Sequence, residues 1–71
     1  MRIVKSKKFA AVPGLLAREI AIVDRETASH PYVTCMYVDG KRGSWVSGHY
    51  FVTLSEAEAD FAKRVAREGG L

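Results

Sequence analysis

The chain contains very little cysteine, proline and tryptophan, and it lacks long apolar runs. One of its 71 residues is a cysteine, Cys35, so no disulfide can form within the chain. A lone thiol is typical of a reducing compartment, which predicts a cytoplasmic protein. The longest apolar blocks, such as Ile20 to Val23, span about four residues, whereas a membrane helix needs about twenty. The basic amino-terminal segment lacks the apolar centre of a signal peptide. These absences predict a protein without membrane association.

The shortness of the chain predicts one domain, residues 1–71, with a thin core. A domain of this size buries only about 60% of its unfolded surface, so it often needs a disulfide, a metal or a partner. The soft metal ligands are His30, Cys35 and His49, and their spacing matches no zinc pattern. We therefore expect no metal and no cofactor, which favours tight packing or self-association.

Turn residues divide most of the chain into short strands. Runs of β-branched and aromatic residues predict strands at about residues 2–10, 18–25, 32–39 and 44–52. Residues 15–25 also fit a helix. However, Ile20 to Val23 are apolar at odd and even positions alike, which favours a strand buried on both faces. Asp39 to Gly43 predicts a hairpin turn, because the Asp39-Gly40 pair tolerates positive φ. Gly48, in the middle of a strand, indicates a bulge or a close approach by another group.

The carboxyl-terminal third predicts a helix over residues 56–68. Ser55 followed by Glu58 fits a capping box, and Gly69-Gly70 ends the pattern. The apolar stripe is formed by Ala57, Phe61 and Val65, widened by Ala62 and Ala66, and Asp60 with Arg64 forms a favourable i,i+4 pair. The predicted fold class is α+β: an antiparallel meander of three or four strands with one helix packed on one face.

The predicted strands carry apolar side chains on both faces of the sheet, but a single helix can cover only one of these faces. Either the Leu15-Leu16 region or another chain must then cover the second face. In the last strand, Trp45 and Phe51 share a parity with His49, whereas Tyr50 has the other parity. An uncovered aromatic face marks an interaction site. We therefore expect a non-enzymatic module that forms a homodimer or binds a protein partner, with candidate partner-binding residues Tyr37, Trp45, His49 and Tyr50.

Nucleic-acid binding is the alternative function. The net charge is +3, and the aromatic residues of the strands resemble in composition a stacking platform for single strands. The glycine-framed aromatic pattern of RNA-recognition strands is missing. The candidate nucleic-acid-binding residues are the basic ones in the first strand and in the hairpin turn: Lys5, Lys7, Lys8, Lys41 and Arg42.

Catalysis has weak support in the sequence. Cys35 and His49 fall on neighbouring predicted strands, which is compatible with a thiol–imidazole pair. No third orienting group is evident, and a cysteine between Thr34 and Met36 is typical of a small buried side chain. We expect neither an enzyme nor a small-molecule substrate.

Three segments of the chain resemble segments of known proteins. They are Pro31 to Thr34, Gly48 to Phe51, and Ala59 to Phe61 with Arg64. Together they resemble small uncharacterised proteins of bacterial phages, plasmids and other mobile elements, over roughly residues 18–67. The resemblance implies no assigned activity and transfers no site residue. It implies a class of accessory proteins that bind a host protein, anti-CRISPR inhibitors among them, by analogy alone.

Overall fold

The computed structural model describes residues 1–26 and 28–70. Over these residues four strands form one antiparallel sheet and one helix packs against it: β1 Arg2–Phe9, β2 Arg18–Asp24, β3 Tyr32–Val38, β4 Val46–Phe51 and α1 Leu54–Gly69. The strands lie in chain order, so the sheet is a meander. The predicted α+β class is confirmed, and residues 18–24 are strand rather than helix. In the part of the chain that the structure describes, no helix has the length and hydropathy required to cross a membrane.

The hairpin turn between β3 and β4 lies where the sequence predicts it. Asp39 and Gly40 have φ values of 56° and 73°, and the Lys41 amide donates to the Val38 carbonyl at 3.1 Å. Two successive positive φ values fit a tight turn at the start of this connection, which continues over residues 41–45 before β4 begins. The strand after the turn begins at Val46 and not at Ser44, so the predicted start is two residues early.

The helix begins earlier than the capping pattern predicts. Thr53, not Ser55, is the N-cap: its hydroxyl accepts from the Glu56 amide at 3.2 Å, and the Glu56 carboxylate accepts from the Thr53 amide at 3.2 Å. Thr53–Glu56 and Ser55–Glu58 both fit the capping-box spacing. The earlier start places Leu54 in the first turn, where it packs on the core. The helix ends at Gly69, one residue after the predicted end at 68, with Gly70 as the C-cap.

The core on the helix side of the sheet joins β2 to α1. Ile20 and Ile22 are fully buried there against Ala57 and Phe61, and Val65 packs at the margin. These helix residues are the predicted stripe, except that Ala62 and Ala66 are exposed. The orientation of α1 leaves the opposite face of the sheet without a covering element among the described residues.

Candidate binding surface

The side of the sheet opposite α1 is the helix-free face. Its side chains come from all four strands and from the segment just before β4: Ile3, Lys8, Glu19, Ala21, Val23, Val33, Cys35, Tyr37, Trp45 and Tyr50. Ala21, Val33 and Cys35 are fully buried, and Tyr37 is 4% exposed. Side chains on one face of a sheet are buried this deeply only if other atoms of the protein cover them.

The Leu15-Leu16 region does not provide that cover. Leu16 is 58% exposed, and the two leucines border a shallow groove with Met36 and Val38. Met36 packs into the core beneath α1, which places this groove on the helix side. Of the two alternatives, the one in which these leucines fold over the second face is therefore wrong. The physical reason is that β2 starts directly at Arg18, which leaves them at the end of the sheet.

The cover comes from side chains of the face itself. Trp45 and Ile3 pack on the buried cluster of Val33 and its neighbours, and Tyr37 belongs to it. We call five side chains of this face the flat layer: Arg25, Tyr37, Arg42, Trp45 and Tyr50. The rings of Tyr37 and Trp45 meet edge to face, with centroids 6.5 Å apart and planes at 70°. Large amphipathic rings can bury small residues while they keep their polar atoms at the surface.

A β-bulge puts Trp45 and Tyr50 on the same face. Thr34 pairs with His49 and Met36 with Val46, so β4 contains one more residue than β3 over this stretch. Ser47, with φ of 53°, lies in the bulge. An extra residue reverses the alternation of faces. The prediction that Trp45 and His49 lie on the same face of the sheet is therefore wrong.

Gly48 provides the space in which the two rings meet. A Cβ atom built on Gly48 would lie 3.1 Å from the Tyr50 hydroxyl oxygen and 3.2 Å from Trp45 Nε1. Both polar ring atoms thus converge above one backbone position. The predicted bulge and the predicted close approach both occur, and they occur at the same place.

Arg25 extends the flat layer at one end. Its guanidinium carbon lies 4.8 Å from the centroid of the Tyr50 ring, and one of its amino groups donates to the His30 carbonyl at 2.6 Å. A guanidinium above an aromatic ring is attracted by the ring quadrupole. One face of the Tyr50 ring is therefore already occupied within the chain.

Arg42 lies at the other end of the flat layer, where it binds a carboxylate of the same face. Arg42 Nε and Nη2 donate to the two Glu19 carboxylate oxygens at 2.9 Å and 2.5 Å. Glu19 is 5% exposed. Hydrogen bonding from Arg42 lowers the pKa of Glu19; burial opposes this, and a hydrogen bond from Ser6 adds to the lowering. Arg42 is thus paired within the chain, although its side chain stays half exposed.

The other predicted basic residues do not come together. Lys5 and Lys7 pair with Ile22 and Ile20, which places them on the helix side, and Lys5 Nζ lies 5.4 Å from the centroid of the Phe61 ring. Lys8 pairs with Glu19 on the helix-free face, and Lys41 belongs to the hairpin turn. The five candidates for nucleic-acid binding are therefore distributed over two faces and a turn.

His49, the fourth candidate for partner binding, lies on the helix side. Its Nδ1 is 3.0 Å from an Asp60 carboxylate oxygen, and the Thr34 hydroxyl also donates to that carboxylate. Arg64 donates to the Thr34 carbonyl at 2.9 Å. Asp60 and Arg64 therefore contact Thr34 instead of forming the predicted surface pair, and this cluster connects α1 to β3 and β4.

Cys35 and His49 cannot act as a pair. Thr34, next to Cys35 in the chain, is the register partner of His49, so the Cys35 side chain points to the opposite face. Burial raises the pKa of the Cys35 thiol to about 11. Among the described residues, no group of three histidine, cysteine, aspartate or glutamate side chains could hold a metal ion.

Sequence patterns missed two members of this surface, Arg25 and Glu19. Each is charged and flanks the apolar block Ile20 to Val23, a position that is typical of a solvated side chain. The role of Glu19 could have been predicted from the sequence, because a carboxylate inside a strand that is buried on both faces needs a cationic partner. Arg25 had no comparable signal.

Comparison of the chain with protein-family models, with curated proteins and with solved structures finds no match. The resemblance to proteins of mobile elements therefore stays a prediction.

Proposed function

We propose that this chain is a non-enzymatic interaction module that binds a protein partner through the helix-free face. One observation carries the proposal: tryptophan, tyrosine and arginine side chains, those of the flat layer, gather on a face that no second structural layer covers among the described residues. These three residue types dominate the binding energy of protein interfaces. Tyr50 is 48% exposed, so part of the layer is open to a partner.

The limited access to the aromatic ring faces favours a protein over a nucleic acid as the partner. Stacking of successive bases needs free ring faces. Arg25 occupies one face of the Tyr50 ring. The basic residues are also split between the two faces of the sheet, so they do not line one track for a phosphate backbone.

Binding rather than catalysis is supported by the position of the reactive groups. The Cys35 thiol is buried and has a raised pKa, so little thiolate forms at neutral pH. His49 lies on the other side of the sheet. The flat layer itself carries arginine and aromatic side chains, which are recognition groups more often than proton carriers.

Selection from a phage library of random dodecapeptides tests the proposal. The immobilised protein should enrich peptides, and Tyr50→Ser should weaken their binding about thirtyfold, as expected for a hot-spot residue. Leu16→Ser is the matched control, because Leu16 is similarly exposed but lies on the helix side. The control should bind the peptides as tightly as the unmodified protein.

Two results would contradict the proposal. The first is a selection that enriches nothing above a blank surface. The second is a set of peptides that bind Tyr50→Ser and the unmodified protein equally well. Gel filtration with light scattering, run with and without an oligothymidine strand, separates self-association and nucleic-acid binding from the proposed mode. A stable complex with the oligonucleotide that Tyr50→Ser abolishes would favour the nucleic-acid alternative.

A further inference from the structure

We infer that the protein segment bound by the helix-free face is acidic, and that Arg25 together with the polar ring atoms above Gly48 receives one of its carboxylates. This inference rests on the proposed function and specifies the chemistry of the partner.

The charges on this face are unbalanced. Within the four strands, Glu19 is the one carboxylate on the helix-free face, and the Arg42 guanidinium neutralises it. Lys8 on β1 and Arg25, the residue directly after β2, remain as surplus positive charges on the same side. Glu26, next to Arg25, pairs with the Met1 amino group. Asp24, the other carboxylate of the strands, pairs with Tyr32 and Arg2 on the opposite side. An acidic partner complements this surplus.

The polar ring atoms above Gly48, on the edge strand β4, are donors. Trp45 Nε1–H can only donate, and the Tyr50 hydroxyl can donate as well. The two atoms converge above Gly48, and Arg25 lies on the ring of the same Tyr50. Two neutral donors beside a guanidinium form a suitable receptor for a carboxylate, because charge-assisted hydrogen bonds are the strong ones.

The face already binds one carboxylate of its own chain. Glu19 lies against Arg42 in a two-pronged geometry and is almost fully buried. This pair shows how an arginine of the flat layer holds a carboxylate at the surface of the sheet. Arg25 has no carboxylate partner among the described ion pairs, since its amino group donates to a main-chain carbonyl.

A second copy of the chain fits this face poorly. In a two-fold symmetric dimer the same patch contacts itself. The surplus positive charge of one copy would then face the same surplus on the other copy. Like charges placed together oppose association, so the surplus favours a different protein as the occupant.

The composition of the selected dodecapeptides tests the inference. Peptides enriched on the unmodified protein should contain more aspartate and glutamate than the starting library. A synthetic copy of the best peptide should lose about fivefold in affinity when its acids are replaced by the corresponding amides. Raising the salt concentration should weaken the acidic peptide more than the amide version.

Protein variants assign the effect to Arg25. Arg25→Gln should weaken the acidic peptide about fivefold, and Arg25→Lys, which keeps the charge, should restore part of the loss. Lys63→Gln is the matched control, because Lys63 is an exposed cation on α1. Circular dichroism of each variant verifies that the fold is retained. If Arg25→Gln does not fold, replacement of the peptide's acids by amides still tests the inference.

The outcomes separate this inference from the proposed function. Peptides that are neutral or basic but still depend on Tyr50 would overturn the acidic partner and leave protein binding intact. A selection without enrichment overturns both. A dimer that Tyr50→Ser dissociates, or an oligothymidine strand that displaces the peptides and binds more tightly than they do, also overturns the acidic-protein inference.

Discussion

The Arg64 guanidinium donates to the main-chain carbonyl of Thr34 at 2.9 Å, which connects the middle of α1 to the middle of β3. Arg64 is 6% exposed, although a charged helix residue normally faces water. Its Nη1 also lies 3.4 Å from the Thr34 hydroxyl oxygen, and that hydroxyl donates to Asp60. A buried arginine therefore orients the helix on the sheet.

Replacing Arg64 should destabilise the fold. Arg64→Met keeps most of the apolar stem but leaves the Thr34 carbonyl and the Asp60 carboxylate without their cationic neighbour. We expect a loss of about 1–3 kcal/mol in the free energy of unfolding, measured by urea denaturation. Lys63→Met, at the adjacent exposed position, is the control and should change stability by less than about 0.5 kcal/mol.

Phe61 should be the largest single contributor from the helix. It is 7% exposed and packs with Ile20, Ile22 and Ala57. Phe61→Ala removes a ring from a thin core, so the free energy of unfolding should fall by about 3–5 kcal/mol. Val52→Ala, at a residue that is 56% exposed, is expected to be nearly neutral in the same urea titration. Equal effects of the two changes would contradict the assigned core.

Gly48→Ala should displace the rings of Trp45 and Tyr50. The added Cβ would lie 3.1–3.3 Å from atoms of these two side chains, closer than ordinary contact. The rings must shift, so Trp45 fluorescence should move to longer wavelength and stability should fall by about 1 kcal/mol. Gly43→Ala is the matched control, because nothing lies within 4 Å of its added Cβ. An unchanged emission spectrum in Gly48→Ala would exclude the close approach.

Stability should decline in acid because of Glu19 and Asp60. Hydrogen bonding from Arg42 lowers the pKa of Glu19 below its ordinary value of 4.5. Burial tends to raise the pKa of Asp60, but hydrogen bonds from Thr34 and His49 outweigh it and lower that pKa below 3.8. A depressed folded-state pKa means that the unfolded state binds protons more tightly.

The stabilisation from these carboxylates is therefore complete above their ordinary pKa values and is lost as the pH falls through the folded-state values. Urea titrations between about pH 7 and pH 3 should show this decline. Glu19→Gln removes one titrating group and should flatten the curve. A variant curve parallel to that of the unmodified protein would contradict the assigned role of Glu19.

The Cys35 thiol should be unreactive in the folded protein. It is fully buried, and burial raises its pKa to about 11. Iodoacetamide at neutral pH should leave Cys35 unmodified, as measured by mass spectrometry, and should alkylate it once urea unfolds the chain. Rapid alkylation without denaturant would show an accessible thiolate and would reopen the possibility of catalysis by Cys35.

Much of the fold follows from patterns that extend over a few residues. The strand at Tyr32–Val38 has β-forming side chains throughout, and Asp39-Gly40 has the backbone freedom that a hairpin turn needs. The helix follows from its apolar period and its terminal glycines. These features are local, because hydrogen bonding, sterics and periodicity within a segment are sufficient to produce them.

The candidate surface follows from contacts between segments that are distant in the chain. Trp45 and Tyr50 share a face because a bulge inserts one residue into β4. Gly48 indicates a bulge or a close approach, but the alternation of side chains does not show which residues then change face. The Arg42–Glu19 pair and the Arg25–Tyr50 contact each join residues more than twenty positions apart. Composition shows that the aromatic and basic residues exist, but register and packing select which of them meet, because only the assembled sheet brings their side chains within reach of one another.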